Sequence, residues 1–285
     1  MNQITFKSVL MRTVAVMLFT LGTISASAQY YMNVVQKDGE KVQYLVSNID
    51  SVYFSGQEGP AANYEYVDLG LSVKWATCNV GATKPEEYGD YFAWGETEPY
   101  YEAGYAQENP QAHWKDGKTS GYTWTNYKFR TSGDLFSNVK FSKYNTSSSY
   151  GSVDNNTTLD LEDDVAHVQW GGTWRMPTKA DWDNLQNKCT WKWYGSGNTE
   201  FNGVAGYKVT SNIEGYTDRF IFLPAAGCRS GTLLYNVGSY GHYWSSSLYS
   251  DFPYLAWKIY FDSSYVDASY YDNRFNGFSV RPVCQ

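Results

Sequence analysis

LEDDVAHVQWGGTWRMPTKADWDNLQNKC, residues 161–189, is the stretch on which the fold class turns, because it holds the two credible helices of the chain. In Leu161–Trp170 the acids Glu162, Asp163 and Asp164 sit where the positive end of a helix dipole welcomes negative charge. In Thr178–Cys189 the hydroxyl of Thr178 is placed as N-cap, directly after Pro177. Asp181, three residues on, makes a carboxylate variant of the capping box. Beyond Cys189 the patterns read only as strands: GVAGYKVTS, RFIFLPAAG, HYWSSSLY, YLAWKIYFDS and GFSVRPV. Strands, two helices, then strands again is α+β rather than alternating α/β.

Upstream, YVDLGLSVKWATCNVGA puts Val67, Leu69, Leu71, Val73 and Trp75 at alternate positions, which predicts one strand with an apolar face. GDYFAWGETEP reads as a second short strand, and residues 97–130, polar, aromatic and without steady period, as long loops. Tyr30–Phe54 reads as strand, Asp38-Gly39 turn, strand and a third short extended run. The expected organisation is a signal peptide over 1–28, a short β-hairpin appendage over 29–55, a linker over 56–63, rich in Gly, Pro and small polar residues, and one ligand-binding domain over 64–285.

The signal peptide is read from Lys7 and Arg12 before the apolar TVAVMLFTLG and the small-residue pattern Ala26-Ser27-Ala28. Roughly ten apolar residues fall short of the about 20 that span a bilayer, so no transmembrane segment is expected. The predicted location is exported: extracellular or at the cell surface, with the periplasm the other compartment open to it. Losing Lys7 and Arg12 moves the formal charge from -7 to about -9, which disfavours a phosphate backbone, so nucleic acid is set aside as partner. Cys78, Cys189, Cys228 and Cys284 in an exported chain suggest disulfides, of which four cysteines allow three pairings. Cys78 with Cys189 and Cys228 with Cys284 is the favoured set, against free buried thiols. None of the spacings suits a zinc ligand pair, and no cofactor is expected.

YVDLGLSVKWATCNVGA, YFAWGE, GGTWRMPTKADWDNL, FLPAAG, YWSSS and GFSVRPV occur in the order typical of the major paralogous, or FISUMP, domain of secreted and surface proteins, and the resemblance spans Tyr64 to Val283. It implies a C-type-lectin-like fold with two helices, a small mixed sheet and a loop-rich half that presents a binding face. Residues 233–283, LLYNVGSYGHYWSSSLYSDFPYLAWKIYFDSSYVDASYYDNRFNGFSVRPV, resemble the variable region of proteins diversified by retroelements. There, adenine-directed mutation of Asn codons yields Tyr, Asp, Ser, His and Phe without stop codons, the residue types that accumulate here.

Parity bears on the same question. Leu255, Trp257, Ile259 and Phe261 alternate with Tyr254, Ala256, Lys258, Tyr260 and Asp262, which predicts a core face and a polar face. Val266 and Ala268 alternate likewise with Tyr265, Asp267 and Ser269. Tyr with Ser and Asn is the composition of antibody paratopes: large amphipathic rings with few rotatable bonds, beside adaptable hydrogen-bonding groups. The residues expected to bind ligand are Tyr235, Tyr240, His242, Tyr249, Asp251, Phe252, Tyr254, Tyr260, Asp262, Tyr265, Asp267, Tyr270, Tyr271, Asp272 and Phe275. Trp75, Trp244, Trp257, Ile259 and Phe261 are expected in the core. Arg274 could stack against a ligand or serve as structural partner to an acid.

Three sharper chemistries are weighed and set aside. His242 near Trp244-Ser245-Ser246-Ser247 invites a hydrolase, but on a strand His242 faces away from Ser245 and Ser247, and no acid orients it. VDNNTTLDLEDD (Val153–Asp164) is rich in oxygen ligands for calcium yet lacks the glycine turn of an EF-hand, so a solvated loop and helix N-terminus is the better reading. Glu96-Thr97-Glu98-Pro99 makes a sugar-lectin trio only by forcing. The sequence therefore predicts a non-enzymatic protein that presents a Tyr/Asp/Ser-rich, retroelement-type face to an extracellular protein or glycan. The alternatives are a fixed glycan-binding module or a structural surface or fimbrial subunit.

Overall fold

Thr178 caps the longer helix as its sequence requires. In α2 (Lys179–Lys188) the Thr178 hydroxyl accepts from the Asp181 amide, and the Asp181 carboxylate accepts from the Thr178 amide at 2.9 Å, completing the capping box. The shorter helix, α1 (Val165–Trp170), starts later than its acids suggest. Asp164 is the residue whose carboxylate takes the Ala166 and His167 amides, while Leu161–Asp163 forms a separate 3-10 turn. The computed structural model describes residues 31–35, 41–45 and 64–285.

Strands dominate these residues. β1 (Tyr31–Val35) and β2 (Lys41–Leu45) form an antiparallel pair, as the Asp38-Gly39 signal predicts, in a unit separate from the rest. The signal peptide, the third extended run and the linker lie outside the described residues. In the larger unit, β3 (Tyr66–Val67), β4 (Lys74–Ala76) and β15 (Val283–Cys284) form one sheet in the order β15-β4-β3. β5 (Arg130–Ser132) pairs with β6 (Lys140–Phe141). β7 (Cys189–Tyr194), β8 (Gly206–Ser211) and β9 (Phe220–Pro224) form a meander. β10 (Cys228–Ser230) pairs with β11 (Leu233–Tyr235). β12 (Gly241–Leu248), β13 (Leu255–Phe261) and β14 (Val266–Asn273) form the last sheet.

This corrects the expected fold class. Every strand pair in these five sheets is antiparallel, and among the described residues strand covers 32% against 14% helix, so they are mostly β and not an α+β fold with a mixed, C-type-lectin-like sheet. The physical reason lies in the helices and turns. α1 and α2 have only 6 and 10 residues, whereas hairpin after hairpin closes locally downstream. The predicted Val67–Trp75 strand is itself a hairpin: Gly70 turns at φ +71, its amide held by Asp68 Oδ1, and Val67 pairs with Trp75. Its alternating side chains still converge, Leu69, Val73 and Trp75 fully inside and Val67 and Leu71 at the margin of the same core. GDYFAWGETEP forms no strand; Phe92 makes a single bridge to Phe278.

Two apolar clusters flank the β12–β13–β14 sheet. One, around Trp75, Trp182 and Leu185, takes Tyr243, Ile259, Phe261 and Ala268. The other, built from the long loops through Trp94, Tyr122, Trp124 and Phe141, takes Trp244, Ala256 and Phe278. Gly241 pairs with Phe261, and a Cβ there would drive into the Phe261 ring. The central strand is thus covered on both sides. That is why Ala256 and Lys258, predicted on an open polar face, are buried, while Trp257, predicted in the core, is only half-buried.

The four cysteines are free thiols, which corrects the expected pairing. Cys78 and Cys189 belong to different core clusters, and the Cys78 thiol lies 3.4 Å from the carbonyl oxygen of Ala82. Burial pushes the Cys189 and Cys228 thiols up to about 11. Among the described residues no helix is long and apolar enough to cross a membrane.

Candidate binding surface

β14 is the outer strand of its sheet, and its side chains alternate between two sides. Tyr271 lies opposite Trp257, and Tyr270 opposite Lys258, so neighbouring tyrosines project from opposite faces. The predicted residues consequently gather into two aromatic groups that meet across the β14 edge instead of covering one face. On one side Tyr260 is the hub, with ring centroids 5.0 Å from Tyr270, 5.6 Å from Tyr240, 6.4 Å from Tyr265 and 5.3 Å from His242. On the other, Tyr249 stacks on Tyr271 at 4.3 Å and meets Trp257 at 4.8 Å. Phe252 then links Tyr249 to Tyr254, which rests on Phe136 and Tyr150.

Of the predicted residues in these two groups, the most exposed rings are Tyr265 (47%), Tyr271 (45%) and Tyr270 (42%) at β14 and Phe252 (46%) on the β12–β13 turn. The β14 backbone is tied down by α2, whose Gln186 donates to the Val266 carbonyl at 3.0 Å and accepts the Ala268 amide at 2.8 Å. Such pairing occupies an edge strand that would otherwise offer free backbone groups. Lys179 Nζ stands 5.0 Å over the Trp257 ring and is bonded to Asp183.

The aspartates are oriented by their neighbours. Asp262 accepts from the Ser264 amide and hydroxyl at 2.8 and 2.9 Å and from the Tyr260 hydroxyl at 3.2 Å. The Ser264 amide above all holds its carboxyl below the usual range. Asp267 accepts from the Tyr265 hydroxyl at 2.8 Å and the Ser269 amide at 2.7 Å. Asp251 is exposed beside Tyr249.

Four predicted residues lie elsewhere or do other work. Tyr235 is exposed on β11, apart from both aromatic groups. Phe275 packs on Trp124 at 4.7 Å, against the loop core. His242 is buried against Phe278, and Lys258 Nζ contacts its Nδ1 at 2.8 Å and the Asp272 carboxylate at 2.6 Å. With Nδ1 accepting from the ammonium, the ring proton sits on Nε2, which is buried without a partner. Burial first, and the Lys258 charge second, lower His242 to about 2, so the ring stays neutral. Burial also lowers Lys258. Asp272 therefore neutralises an interior ammonium.

The discarded chemistries have geometric counterparts. Ser245 Oγ donates to the Trp257 carbonyl, Ser246 Oγ to that of Pro177, and Ser247 Oγ accepts the Lys179 amide, so no serine pairs with His242. Asp160, Glu162 and Asp163 converge, but on the Lys143 ammonium at 2.8, 2.9 and 2.6 Å. Burial opposes ionisation of Asp163, yet hydrogen bonds from Lys128, Lys143 and Tyr144 outweigh it and lower its pKa. Glu96 is buried, taking Lys118 Nζ and the Lys128 amide, so it forms no exposed trio with Thr97 and Glu98.

Sequence reasoning missed three buried cations of the interior, one of which, Arg274, anchors the turn that carries Phe252. Arg274 is fully buried and meets no carboxylate. Its guanidinium donates to Tyr127 Oη, to the Tyr144 and Pro253 carbonyls at 3.0 and 2.8 Å and to that of Lys143. Arg281 donates to Asn79 and to the carbonyls of Ala76, Thr77 and Phe222. Arg229 reaches the carbonyls of Tyr105 and Ala106. Arg281 inside Val280-Arg-Pro-Val was the available signal, since a cation between apolar strand residues has to be desolvated and paired.

A family model described as a domain of unknown function (DUF8237) matches residues 212–283, a span that runs from just before β9 to the start of β15 and contains all fifteen residues predicted to bind ligand, but not the α2 residues that tie β14 down. No curated protein and no solved structure matches the chain.

Proposed function

We propose that this protein is a binding protein that presents the aromatic edge of the β12–β13–β14 sheet to a ligand outside the cell, without catalysing a reaction. The observation that carries the reading is the set of half-exposed large rings at this end of the chain: Tyr265, Tyr270 and Tyr271 along the rigidly supported β14 edge, and Phe252 on the β12–β13 turn of the same sheet. Exposed aromatic rings gathered on either side of one edge are costly to leave in water, and such patches mark interaction sites. Tyr supplies contact area at low entropic cost, and the adjoining Ser and Asp supply directional hydrogen bonds. The frame is separate from the display: Trp244, Ile259, Phe261 and Arg274 are buried, so the outward side chains can change without altering the fold. Export, kinship with FISUMP proteins and retroelement diversification belong to the same proposal.

Sequencing the DNA beside the gene tests the diversified form. The reading expects a near-copy of the codons for 233–283 next to a reverse transcriptase. Differences should be confined to adenines and to codons such as those of Tyr249, Phe252, Tyr265, Tyr270 and Tyr271. A near-copy that differs equally at Trp244, Ile259 and Arg274 overturns it, and absence of any copy leaves a fixed binding face in place of a diversified one.

A further inference from the structure

From Leu233 to Asn273 the chain carries four aspartates, Asp251, Asp262, Asp267 and Asp272, against one lysine or arginine, Lys258. Lys258 is buried and bonded to Asp272. Asp251, Asp262 and Asp267 have no Lys or Arg within ion-pair distance among the described residues. Asp262 and Asp267 accept from the hydroxyls of Tyr260 and Tyr265 in the Tyr240–Tyr260–Tyr265–Tyr270 group, so negative charge and the electron-rich faces of aromatic rings coincide there. A groove of about 390 Å³ opens there, walled by Trp193 and Tyr240, with Asp262, Ser239, Ser263 and Ser264 on its rim.

We propose that this groove seats an arginine or lysine side chain of a basic polypeptide partner, an inference that rests on the binding function proposed above and names its partner's chemistry. A cation held over Trp or Tyr is attracted by the ring quadrupole, Trp most strongly. The Asp262 carboxylate has about four acceptor positions and is aimed by Ser264 and Tyr260, so it retains capacity for a guanidinium. Asp267, opposite Tyr260 on the neighbouring strand, extends the negative field along the edge and favours a flanking basic residue. A partner bearing acidic groups would meet unpaired like charge, and a neutral one would leave these carboxylates uncompensated.

Fluorescence anisotropy with the full chain tests this, using a dye-labelled Arg-Ser repeat peptide, the same peptide with Gln for Arg, and a labelled neutral oligosaccharide. The variants are Asp262→Asn, Tyr240→Leu, Tyr270→Ser and, as a charge-matched control on the exposed Glu214, Glu214→Gln. The expected result is saturable binding of the Arg peptide alone, weakening with added salt. Asp262→Asn and Tyr240→Leu should each weaken it by about tenfold, and Glu214→Gln by less than about twofold. Absence of saturable binding up to about 1 mM overturns the proposal, and so do equal losses in Asp262→Asn and Glu214→Gln. If the Gln peptide or the oligosaccharide binds and Tyr270→Ser removes that binding, the cation assignment falls and the aromatic edge stands as a binding surface.

Discussion

Arg274 shows why single residues matter here beyond their number. Its buried guanidinium satisfies the carbonyls of Lys143, Tyr144 and Pro253 and packs against Phe141 at 4.5 Å, so removal orphans several interior acceptors at once. Each costs about 1–3 kcal/mol, so Arg274→Ala should destabilise by about 4 kcal/mol or more, and Arg274→Lys, with one short-reaching ammonium, should recover little. Urea unfolding checks this; a loss under about 1 kcal/mol contradicts it. His242 gives a pH signature. Its folded pKa of about 2 lies below the ordinary 6.5, so below pH 6.5 the unfolded chain takes up a proton that the folded chain refuses. Stability should therefore fall as pH drops from about 6.5 to about 5, with a slope of up to about 1.4 kcal/mol per pH unit, before the carboxylates begin to titrate. His242→Gln keeps an acceptor for Lys258 and should flatten that limb of the stability curve. An unchanged slope in the variant rules this assignment out.

At the scale of elements, the β12–β13–β14 sheet separates buried side chains from half-exposed rings, and the two should respond differently to substitution. Tyr265→Ser and Tyr270→Ser remove half-exposed rings and should change stability by about 0.5 kcal/mol, whereas Ile259→Ala opens the interior and should cost about 2–5 kcal/mol. Comparable losses in all three would mean that the tyrosines are core. What could be read from sequence here was local. Thr178 and Asp181 announce the start of α2, the strands 206–211, 220–224 and 255–261 fall within the runs that predicted them, and 241–248 starts one residue before its run at 242–249. Parity was read correctly as period and wrongly as exposure. Alternation says that Lys258 and Tyr260 share a face, but not that the loop core, arriving from residues 91–129, covers one and leaves the other half open.

Across the whole molecule, the long aromatic loops are the part that local patterns could not reach. They are fixed by tertiary bonds to the last strands, as when Trp94 Nε1 donates to the Ser245 carbonyl and Tyr91 Oη to that of Ala226, and such partners lie 151 and 135 residues apart. The same distance hid the cysteine state, since compartment suggested pairing while the fold places Cys78 and Cys189 in different cores. Unreduced, denatured chain should accordingly take up four alkyl groups by mass spectrometry, and Tm should be the same with and without reductant; two or no modifications would reinstate disulfides. The candidate surface was legible as composition, Tyr with Asp and Ser toward the end of the chain, but its form as an edge with two sides was not. The decisive measurement compares wild type with the Phe252→Ser/Tyr265→Ser/Tyr270→Ser/Tyr271→Ser variant on one array of extracellular proteins, basic peptides and glycans, with Tm as the folding control. A ligand held by wild type and weakened at least about tenfold in the variant, at nearly unchanged Tm, is the predicted result. Ligands that bind both chains equally would place recognition elsewhere and contradict it.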